Sequence, residues 1–452
     1  MSEVRGTAER IVGTYGIRGR VPDELDLGGA YRTGAAFALL TGAPVVAVAH
    51  DLRGSSPALA DALAQGVLDQ GADVLDAGPG PADCLTYLSG QLEVPGALVT
   101  SGHGPGAPHG IRLCRAGAVT VAEGTGLEAI RERLTGPRPP MADEPGSTVA
   151  APVLDDYARH LRSLVDLTGI RPLKVVVDAA HGMAALTAPR VLHPAVELVP
   201  VRFLGINERS LQGSWDLGEW VRRTGADLGL AFDAGADRCR AMDERGAAVP
   251  PAAVVGLVAA RELARRPGAA VVHDLVTSRS AIEAVEAAGG IPLRCRVGRA
   301  AIRSLMAEQG AAFGGSHSGR SYFRDFWCAD SAMLTALHLV AELGHSGRRL
   351  SELAAGHDRY PRSGEIGIRV EDPVAALHRV TAHFAATEAE LDHLDGVTGE
   401  FGEGSWFNVR AARTAPLVRI HVEAETPAAM ETLRDRVLGV VTGSEASARP
   451  AR

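Results

Sequence analysis

Short apolar runs alternate with amphipathic runs through the first three quarters of this 452-residue chain. Residues 44–50 (PVVAVAH) have the apolar content of a buried strand and end in a polar loop. Ser56 and Pro57 then fit the N-cap and first turn of a helix through ALADALAQGVLDQG. Because strands that alternate with helices build sheets covered by helices, this pattern predicts an α/β fold.

The chain is too long for one hydrophobic core, and its length predicts two to four domains. The succession of strands and helices divides it into four. The segment 136–148 (GPRPPMADEPGST) has four prolines and no hydrophobic period, which is typical of a linker. We therefore place domain I at 1–140. The second and third α/β domains, which repeat the pattern of strand and helix, are expected at 149–250 and 251–358. The remainder, 359–452, mixes strands and helices in the manner of an α+β domain.

The composition excludes several classes of function. The net charge of −8 provides no basic face for phosphate backbones, so we expect no nucleic acid partner. The apolar runs are much shorter than the roughly 20 residues that cross a bilayer, so we expect no membrane segment. The five cysteines form no CxxC pair, and the first ten residues contain no apolar signal core; both features favour a cytoplasmic protein. The sequence leaves the oligomeric state open.

Six polar or glycine-rich segments follow one another in a characteristic order. They are TYGIRG (14–19), HDLRGSSP (50–57), TSGHGPGAPHGIRLCRAG (100–117), FDAGADRC (232–239), FGGSHSGRSYFRD (313–325) and WFNVRAARTAPLVRIHVEA (406–424). Their order resembles that of the α-D-phosphohexomutases, specifically the bacterial phosphomannomutase/phosphoglucomutase branch, and the resemblance covers almost the whole chain. It implies three α/β mixed-sheet domains and a C-terminal α+β domain around a central cleft. Domains I to IV would carry the nucleophile, metal, sugar and phosphate loops in turn.

The resemblance also implies the chemistry. In this family a phosphorylated serine of the enzyme donates its phosphate to a hexose monophosphate. The resulting hexose bisphosphate then reorients in the site and returns its other phosphate to the serine. Such a reaction needs a nucleophile, a divalent cation that neutralises phosphate charge, and fixed donors for the phosphate that does not react. The expected ligand is therefore a hexose phosphate or a similar small anion.

The nucleophile loop of the family reads Thr-Ala-Ser-His-Asn-Pro, and its alignment here places Gly102 at the position of the phosphoserine. Glycine has no oxygen to phosphorylate. Ser101 is a possible substitute, although neighbouring side chains on an extended segment point in different directions. His103 is retained as a candidate general acid or base, or as a structural residue only, and Arg18 fits the opening loop beside the cleft.

The metal loop of the family reads Asp-Gly-Asp-Ala-Asp-Arg, with three carboxylates for a hard cation. Here Asp233 and Asp237 are retained, whereas Gly235 replaces the central aspartate. The resemblance therefore implies Mg²⁺ that binds weakly or is absent, and an acidic surface loop without a tight metal is the alternative.

The sugar loop of this branch reads Gly-Gly-Glu-(Met or His)-Ser-(Gly or Ala)-His. In this chain Ser316 replaces the glutamate, His317 and Ser318 follow, and Arg320 replaces the final histidine. The loss of an acceptor carboxylate and the gain of a guanidinium shift the expected preference from a hydroxyl toward an anionic group.

The phosphate loop of the family reads Arg-(Pro or Ala)-Ser-(Gly or Asn)-Thr-Glu-Pro. Arg410 and Thr414 are retained, Arg413 is an additional cation, and the serine and the glutamate are missing. These residues are expected to hold an anion, and an exposed turn with ordinary arginines is the alternative.

Three functions are consistent with these changes. The first is a phosphohexomutase-family protein that binds a phosphosugar and has lost most or all of its mutase activity, and departures in all four loops favour it. The second is an active phosphomannomutase/phosphoglucomutase that uses Ser101 or a bound bisphosphate. The third is a non-catalytic partner of an active paralogue.

Overall fold

The structure is a computed structural model that describes residues 11–13, 16–101, 107–203, 216–402, 404–412 and 416–443. These residues form two compact units. Unit 1 comprises residues 1–249 and 320–351, and unit 2 comprises residues 250–319 and 352–452.

The secondary structure alternates between strands and helices along most of the chain. The strands are β1 Val12–Gly13, β2 Gly16–Gly19, β3 Val45–His50, β4 Asp73–Pro79, β5 Gly96–Ser101, β6 His109–Arg115, β7 Val119–Thr120, β8 Thr148–Ala150, β9 Lys174–Asp178, β10 Glu197–Val201, β11 Leu228–Phe232, β12 Cys239–Met242, β13 Ala270–Asp274, β14 Ile291–Cys295, β15 Phe313–Gly315, β16 Ser321–Phe323, β17 Ala329–Asp330, β18 Ile366–Arg369, β19 Glu390–Asp392, β20 Val397–Glu400, β21 Trp406–Ala411 and β22 Leu417–Glu423. The helices are α1 Leu27–Thr41, α2 Ser56–Leu68, α3 Ala82–Leu92, α4 Leu127–Thr135, α5 Leu154–Leu164, α6 Ala184–Leu192, α7 Leu217–Thr224, α8 Pro251–Arg265, α9 Arg279–Ala287, α10 Arg299–Gln309, α11 Ala332–Ser346, α12 Leu350–Ala355, α13 Pro373–Ala385 and α14 Pro427–Thr442.

The first sheet of unit 1 is mixed, with the order β1-β2-β6-β5-β3-β4-β8 and β7 paired to β6. Strands β5, β3, β4 and β8 run parallel, whereas β1, β2, β6 and β5 pair antiparallel. Val46 and Val48 of β3 point into a core that they share with Phe37 of α1 and Leu63 of α2. The parallel half therefore brings the ends of β3 and β5 to the same edge, where two of the polar segments begin.

Helices α1 and α2 pack closely because each has a glycine at the contact. A Cβ atom on Gly34 would lie 1.9 Å from the carbonyl oxygen of Leu63, and one on Gly66 would lie 2.0 Å from that of Tyr31. The N-cap of α2 is Ser55, one residue before the Ser56 that the sequence predicts, and the Ser55 side chain makes no capping hydrogen bond.

The second sheet of unit 1 has the order β10-β9-β11-β12. Its first three strands are parallel, and β12 pairs antiparallel with β11. The loop 233–238 joins β11 to β12, as the predicted succession of strand, acidic loop and strand requires. Unit 1 also contains the antiparallel pair of β16 and β17 and the buried helix α11.

Unit 2 contains a parallel arrangement of β14, β13 and β15, and an antiparallel sheet with the order β18-β22-β21-β20-β19. Helices α13 and α14 cover one face of the antiparallel sheet. That face contributes Phe407, Val409 and Ile420 to a core with Phe384 of α13 and Val437 of α14. Because side chains alternate along a strand, the other face presents the polar residues of β21 and β22.

The predicted fold class, α/β domains with a C-terminal α+β domain, is confirmed. The predicted linker differs from the structure at its end, because its last residue begins β8, which adds to the edge of the first sheet beside β4. Helix α11 begins at Ala332, where the Ser331 hydroxyl accepts a hydrogen bond from Leu334 N–H and caps the helix. Within the described ranges, no helix is long and apolar enough to cross a membrane.

Candidate functional site

The loop between β11 and β12 holds both predicted metal ligands in unit 1. The Asp233 carboxylate closes this loop, because its Oδ1 accepts hydrogen bonds from the N–H groups of Asp237 at 2.7 Å and Arg238 at 3.2 Å. Asp237 is only 4% exposed. The aspartate side chains therefore have fixed positions before any ligand is considered.

Arginine side chains pair with both carboxylate oxygen atoms of Asp237. Arg112 from β6 binds it with two hydrogen bonds, at 2.6 Å to Oδ2 and 3.2 Å to Oδ1. Arg320 lies 3.4 Å from the same Oδ2 and also pairs with Asp330, the last residue of β17. The negative charge of Asp237 raises the pKa of Arg112. Burial disfavours the charge on Arg320, but Asp330 and Asp237 outweigh it and raise the pKa of Arg320.

Positive and negative charges balance in this cluster. Arg238 lies 3.4 Å from Asp233, so the carboxylates of residues 233, 237 and 330 face the guanidinium groups of residues 112, 238 and 320. We expected Arg320 to bind a ligand anion, but its guanidinium is directed at two carboxylates of its own unit. The cluster as a whole therefore attracts anions much less than three arginines alone would.

The donors of this loop do not fit a Mg²⁺ ion, which takes an octahedral shell of oxygens. Both oxygens of Asp237 already accept from Arg112, and Oδ1 of Asp233 accepts two backbone N–H groups. Across the part of the chain that the structure describes, no group of three or more metal-binding side chains converges. A Cβ atom on Gly235 would lie 3.7 Å from Asp237 Cγ, an ordinary contact, so the backbone position itself does not exclude a side chain there.

The end of the first sheet brings together residues from two of the polar segments. His109, the first residue of β6, pairs across the sheet with Ser101, the last residue of β5. Arg18 of β2 pairs with Gly110 in the next register position and is exposed. Arg18 and Ser101 therefore lie at the same end of the sheet. The predicted residues Gly102 and His103 follow Ser101 and lie outside the described residues.

A serine and a histidine are hydrogen-bonded at this same end. The Oγ atom of Ser55 lies 2.8 Å from Nε2 of His109, which is 7% exposed. Beside them, the Ser56 hydroxyl donates to Asp51 Oδ1 at 2.5 Å. Burial lowers the pKa of His109, which keeps its imidazole neutral near pH 7.

In unit 2 the sugar loop leads to a histidine held between two carboxylates. His317 follows β15, and Asp274 ends the neighbouring parallel strand β13, so the chain brings them to one edge. His317 Nδ1 lies 2.7 Å from Asp274 Oδ2, and its Nε2 lies 3.5 Å from Glu365 Oε2. Burial opposes the imidazolium, but Asp274 and Glu365 raise the pKa of His317 to about 9. His317 is therefore positively charged at neutral pH.

The two serines of the sugar loop have different environments. Ser316 is buried and Ser318 is exposed, and their hydroxyl oxygens are 3.0 Å apart. Ser318 is thus the one of the two that presents a surface to solvent. Contact of Ser318 with a ligand stays a prediction.

The arginine of the phosphate loop is buried and paired. Arg410 lies on the polar face of β21, is 5% exposed, and donates to Asn408 Oδ1 at 3.3 Å. Glu365 accepts from both Arg410 and Arg419. Hydrogen bonding to His317 lowers the pKa of Glu365 to about 2, and the two arginines add to this effect. The predicted residues Arg413 and Thr414 lie outside the described residues.

Charges in this second cluster do not cancel. His317, Arg410 and Arg419 carry three positive charges against two negative charges on Asp274 and Glu365. The remaining positive charge favours an anion at the edge of the cluster.

Several residues of both clusters were not recognised in the sequence. They are His109, Arg112, Asp274, Asp330, Glu365 and Arg419. Two of them, His109 and Arg112, lie inside the segment 100–117 that resembles the nucleophile loop. A residue-by-residue comparison of that whole segment with the family could have identified them as site residues. The others are defined only by partners that are distant in sequence.

Models of known protein families match every segment of the chain that contributes residues to these clusters. The models of phosphoglucomutase/phosphomannomutase alpha/beta/alpha domains I, II and III match residues 9–137, 155–246 and 251–360. The model of the phosphoglucomutase/phosphomannomutase C-terminal domain matches residues 365–440. The chain therefore belongs to the phosphoglucomutase/phosphomannomutase family, and the resemblance seen in the sequence is confirmed.

Individual relatives extend over nearly the full chain. A Xanthomonas campestris protein named phosphohexose mutases is 37% identical over 444 residues, which cover 95% of this chain and 98% of that protein. The phosphomannomutase of Escherichia coli K12 is 32% identical over 454 residues, which cover 94% and 97%. A crystal structure of a Burkholderia thailandensis phosphoglucomutase/phosphomannomutase family protein superimposes with a TM-score of 0.85 at 26% identity, covering 97% of this chain and 98% of that one.

Proposed function

We propose that this protein binds a hexose phosphate and that its phosphohexomutase turnover is lost or strongly reduced. The observation that carries this proposal is Gly102, which stands where the family has its phosphoserine. Covalent phosphoryl transfer through an enzyme residue requires an oxygen at that position. Removal of a catalytic nucleophile lowers turnover by at least about 10⁴-fold in well-studied enzymes.

The metal loop supports the same proposal. Phosphoryl transfer is catalysed mainly by positioning and by neutralisation of the developing charge, which a divalent cation usually provides. Here Asp237 is bound by Arg112 and Arg320, and the third aspartate of the loop is replaced by Gly235. In this chain both ion pairs would have to break before a cation could bind Asp237.

Binding of a phosphosugar is supported by other features. Two relatives named phosphomannomutase are 36% and 32% identical to this chain, and a phosphomannomutase by its name acts on a mannose phosphate. The cluster around His317 has an excess positive charge, and Ser318 is exposed beside it. These groups of unit 2 suit a ligand with both phosphate and hydroxyl groups.

The test is a coupled assay that follows conversion of mannose 1-phosphate and glucose 1-phosphate to the 6-phosphates. We expect the natural chain to turn over at least about 10⁴-fold more slowly than the E. coli phosphomannomutase used as positive control. Two variants separate the effect of the missing nucleophile on turnover from that of the missing cation ligand. Gly102→Ser restores only the serine, and Gly102→Ser/Gly235→Asp also restores the third aspartate. Recovery only in the double variant with Mg²⁺ would show that both changes limit turnover.

Binding is measured independently, by isothermal titration of the natural chain with glucose 1,6-bisphosphate and with mannose 1-phosphate. Saturable binding is expected. Turnover of the natural chain at the rate of the positive control would disprove the loss of activity, and absence of binding to every hexose phosphate would disprove the ligand class.

A further inference from the structure

Ser55 and His109 have the arrangement of a nucleophile and its base. The Ser55 hydroxyl lies 2.8 Å from His109 Nε2, within hydrogen-bond distance. Ser55 is the N-cap residue of α2, yet its side chain makes no capping hydrogen bond and is used for the histidine instead. Ser55 is partly exposed, whereas His109 is buried. Ser55 is therefore not fully enclosed, and the imidazole hydrogen-bonded to it is held in a buried position.

The location of this pair in the sheet is equally informative. His109 pairs in register with Ser101, and position 102 is the next residue of the chain. Arg18 pairs with Gly110, which follows His109 on β6. Ser55 and its hydrogen-bonded histidine thus lie at one end of the first sheet. Strand β5 ends there too, and Gly102 is the next residue of the chain.

A neutral base, a cation and a helix N-terminus lie near Ser55, whereas the carboxylate of Asp51, which accepts from Ser56, opposes a phosphate there. Burial lowers the pKa of His109, and the nearby Asp51 and Arg53 act in opposite directions on it, so the imidazole is in the form that accepts a proton. Arg53 lies two residues before Ser55 in the loop that leads into α2. The first turn of a 13-residue helix begins directly after Ser55, and a phosphate at a helix N-terminus is stabilised by the helix dipole.

We propose that Ser55 is a phosphoryl acceptor and that His109 is its general base, with a hexose bisphosphate as the donor. His109 Nε2 takes the proton of the hydroxyl while Oγ forms a bond to phosphorus. The bond between phosphorus and the sugar oxygen breaks, that oxygen receives a proton from water, and the imidazolium of His109 then returns its proton to the solvent. The products are phosphoserine at position 55 and a hexose monophosphate. This is a single transfer, so it does not by itself interconvert two monophosphates, and it rests on the proposed binding of a phosphosugar.

The experiment uses the full chain and glucose 1,6-bisphosphate. Intact mass spectrometry follows the addition of one phosphoryl group with time, and fragmentation of the modified peptide identifies the residue. We expect one phosphoryl group per chain on Ser55 and none in Ser55→Ala. His109→Gln keeps a hydrogen-bonding side chain but cannot take the proton, so we expect it to slow the addition at least about 100-fold. Ser163→Ala, at an exposed serine on α5, serves as the matched control and should behave like the natural chain.

Titration with the same bisphosphate, together with thermal unfolding of each variant, separates the possible failures. A chain that binds the bisphosphate and gains no phosphoryl group would overturn this inference and leave the proposed function standing. A phosphoryl group on Ser101 or any other residue would also overturn it. If the folded His109→Gln variant gains the group at the natural rate, His109 is not the base. A chain that binds no hexose phosphate at all would overturn both proposals.

Discussion

Asp83 provides the sharpest test of the electrostatics of unit 1. This residue is buried at the start of α3, where its Oδ2 accepts hydrogen bonds from the Ser331 hydroxyl at 2.6 Å and the Tyr157 hydroxyl at 3.1 Å. Burial raises the pKa of Asp83 to about 8, although the hydrogen bond from Ser331 acts in the opposite direction. An aspartate of the unfolded chain has a pKa of about 3.9. At pH 7 the side chain is therefore protonated in the folded protein and ionised in the unfolded one.

The pH dependence follows from this difference. Between the two pKa values the unfolded chain releases a proton that the folded chain keeps, so the free energy of unfolding falls as the pH rises. One such proton corresponds to about 1.4 kcal/mol per pH unit, or roughly 3 kcal/mol between pH 5 and pH 7. The contribution is complete below the unfolded pKa and is lost as the pH rises toward the folded one. Asp83→Asn preserves the oxygen that accepts from Ser331 and Tyr157 but cannot ionise, so it should remove this contribution.

The assay is urea unfolding of the natural chain and of Asp83→Asn at pH 5, 6 and 7. We expect the free energy of unfolding of the natural chain to fall by roughly 3 kcal/mol more than that of the variant across this range. The variant should therefore gain stability relative to the natural chain as the pH rises. Parallel pH profiles for the two proteins would refute the protonated state of Asp83 and the balance of burial and hydrogen bonding from which it was derived.

Two further predictions concern packing in unit 1 and charge in unit 2. Gly34→Ala would place a Cβ atom 1.9 Å from the Leu63 carbonyl oxygen, and we expect it to lower the free energy of unfolding by about 1 to 3 kcal/mol in denaturant. Gly54→Ala, with no atom within 4 Å of its added Cβ, is the matched control, and an equal effect of both changes would contradict the close contact of the helices. His317 should titrate with a pKa of about 9 in an NMR titration, and Asp274→Asn should lower that pKa. A natural His317 that titrates near its ordinary value would show that the pair with Asp274 does not form.

The sequence was most informative where function and fold depend on neighbouring residues. The polar face of β21 is an example, because Trp406, Asn408 and Arg410 alternate with the buried Phe407 and Val409. Alternation of this kind can be seen in the letters alone, and it places Arg410 on the correct face. The resemblance of the loops to a family likewise depends on short segments whose order can be compared directly.

Pairs of distant residues could not be predicted in the same way. Arg112 and Asp237 are 125 positions apart, and Arg410 and Glu365 are 45 apart. No local period or spacing connects such residues. Their contact depends on how complete strands and loops pack, so the ion pairs became visible only in three dimensions.

The substitution of histidine by Arg320 shows why this matters for function. Considered by itself, the change adds a permanent positive charge to a loop expected to contact ligand, and it favours stronger binding of an anion. In the structure the guanidinium pairs with Asp330 and Asp237, and Asp237 is shared with Arg112. The added charge therefore pairs with Asp237, one of the two aspartates retained in the loop that resembles a metal loop. The loss of the third aspartate at Gly235 and the gain of Arg320 then act in the same direction, because the first removes a negative charge from this loop and the second adds a positive charge beside it.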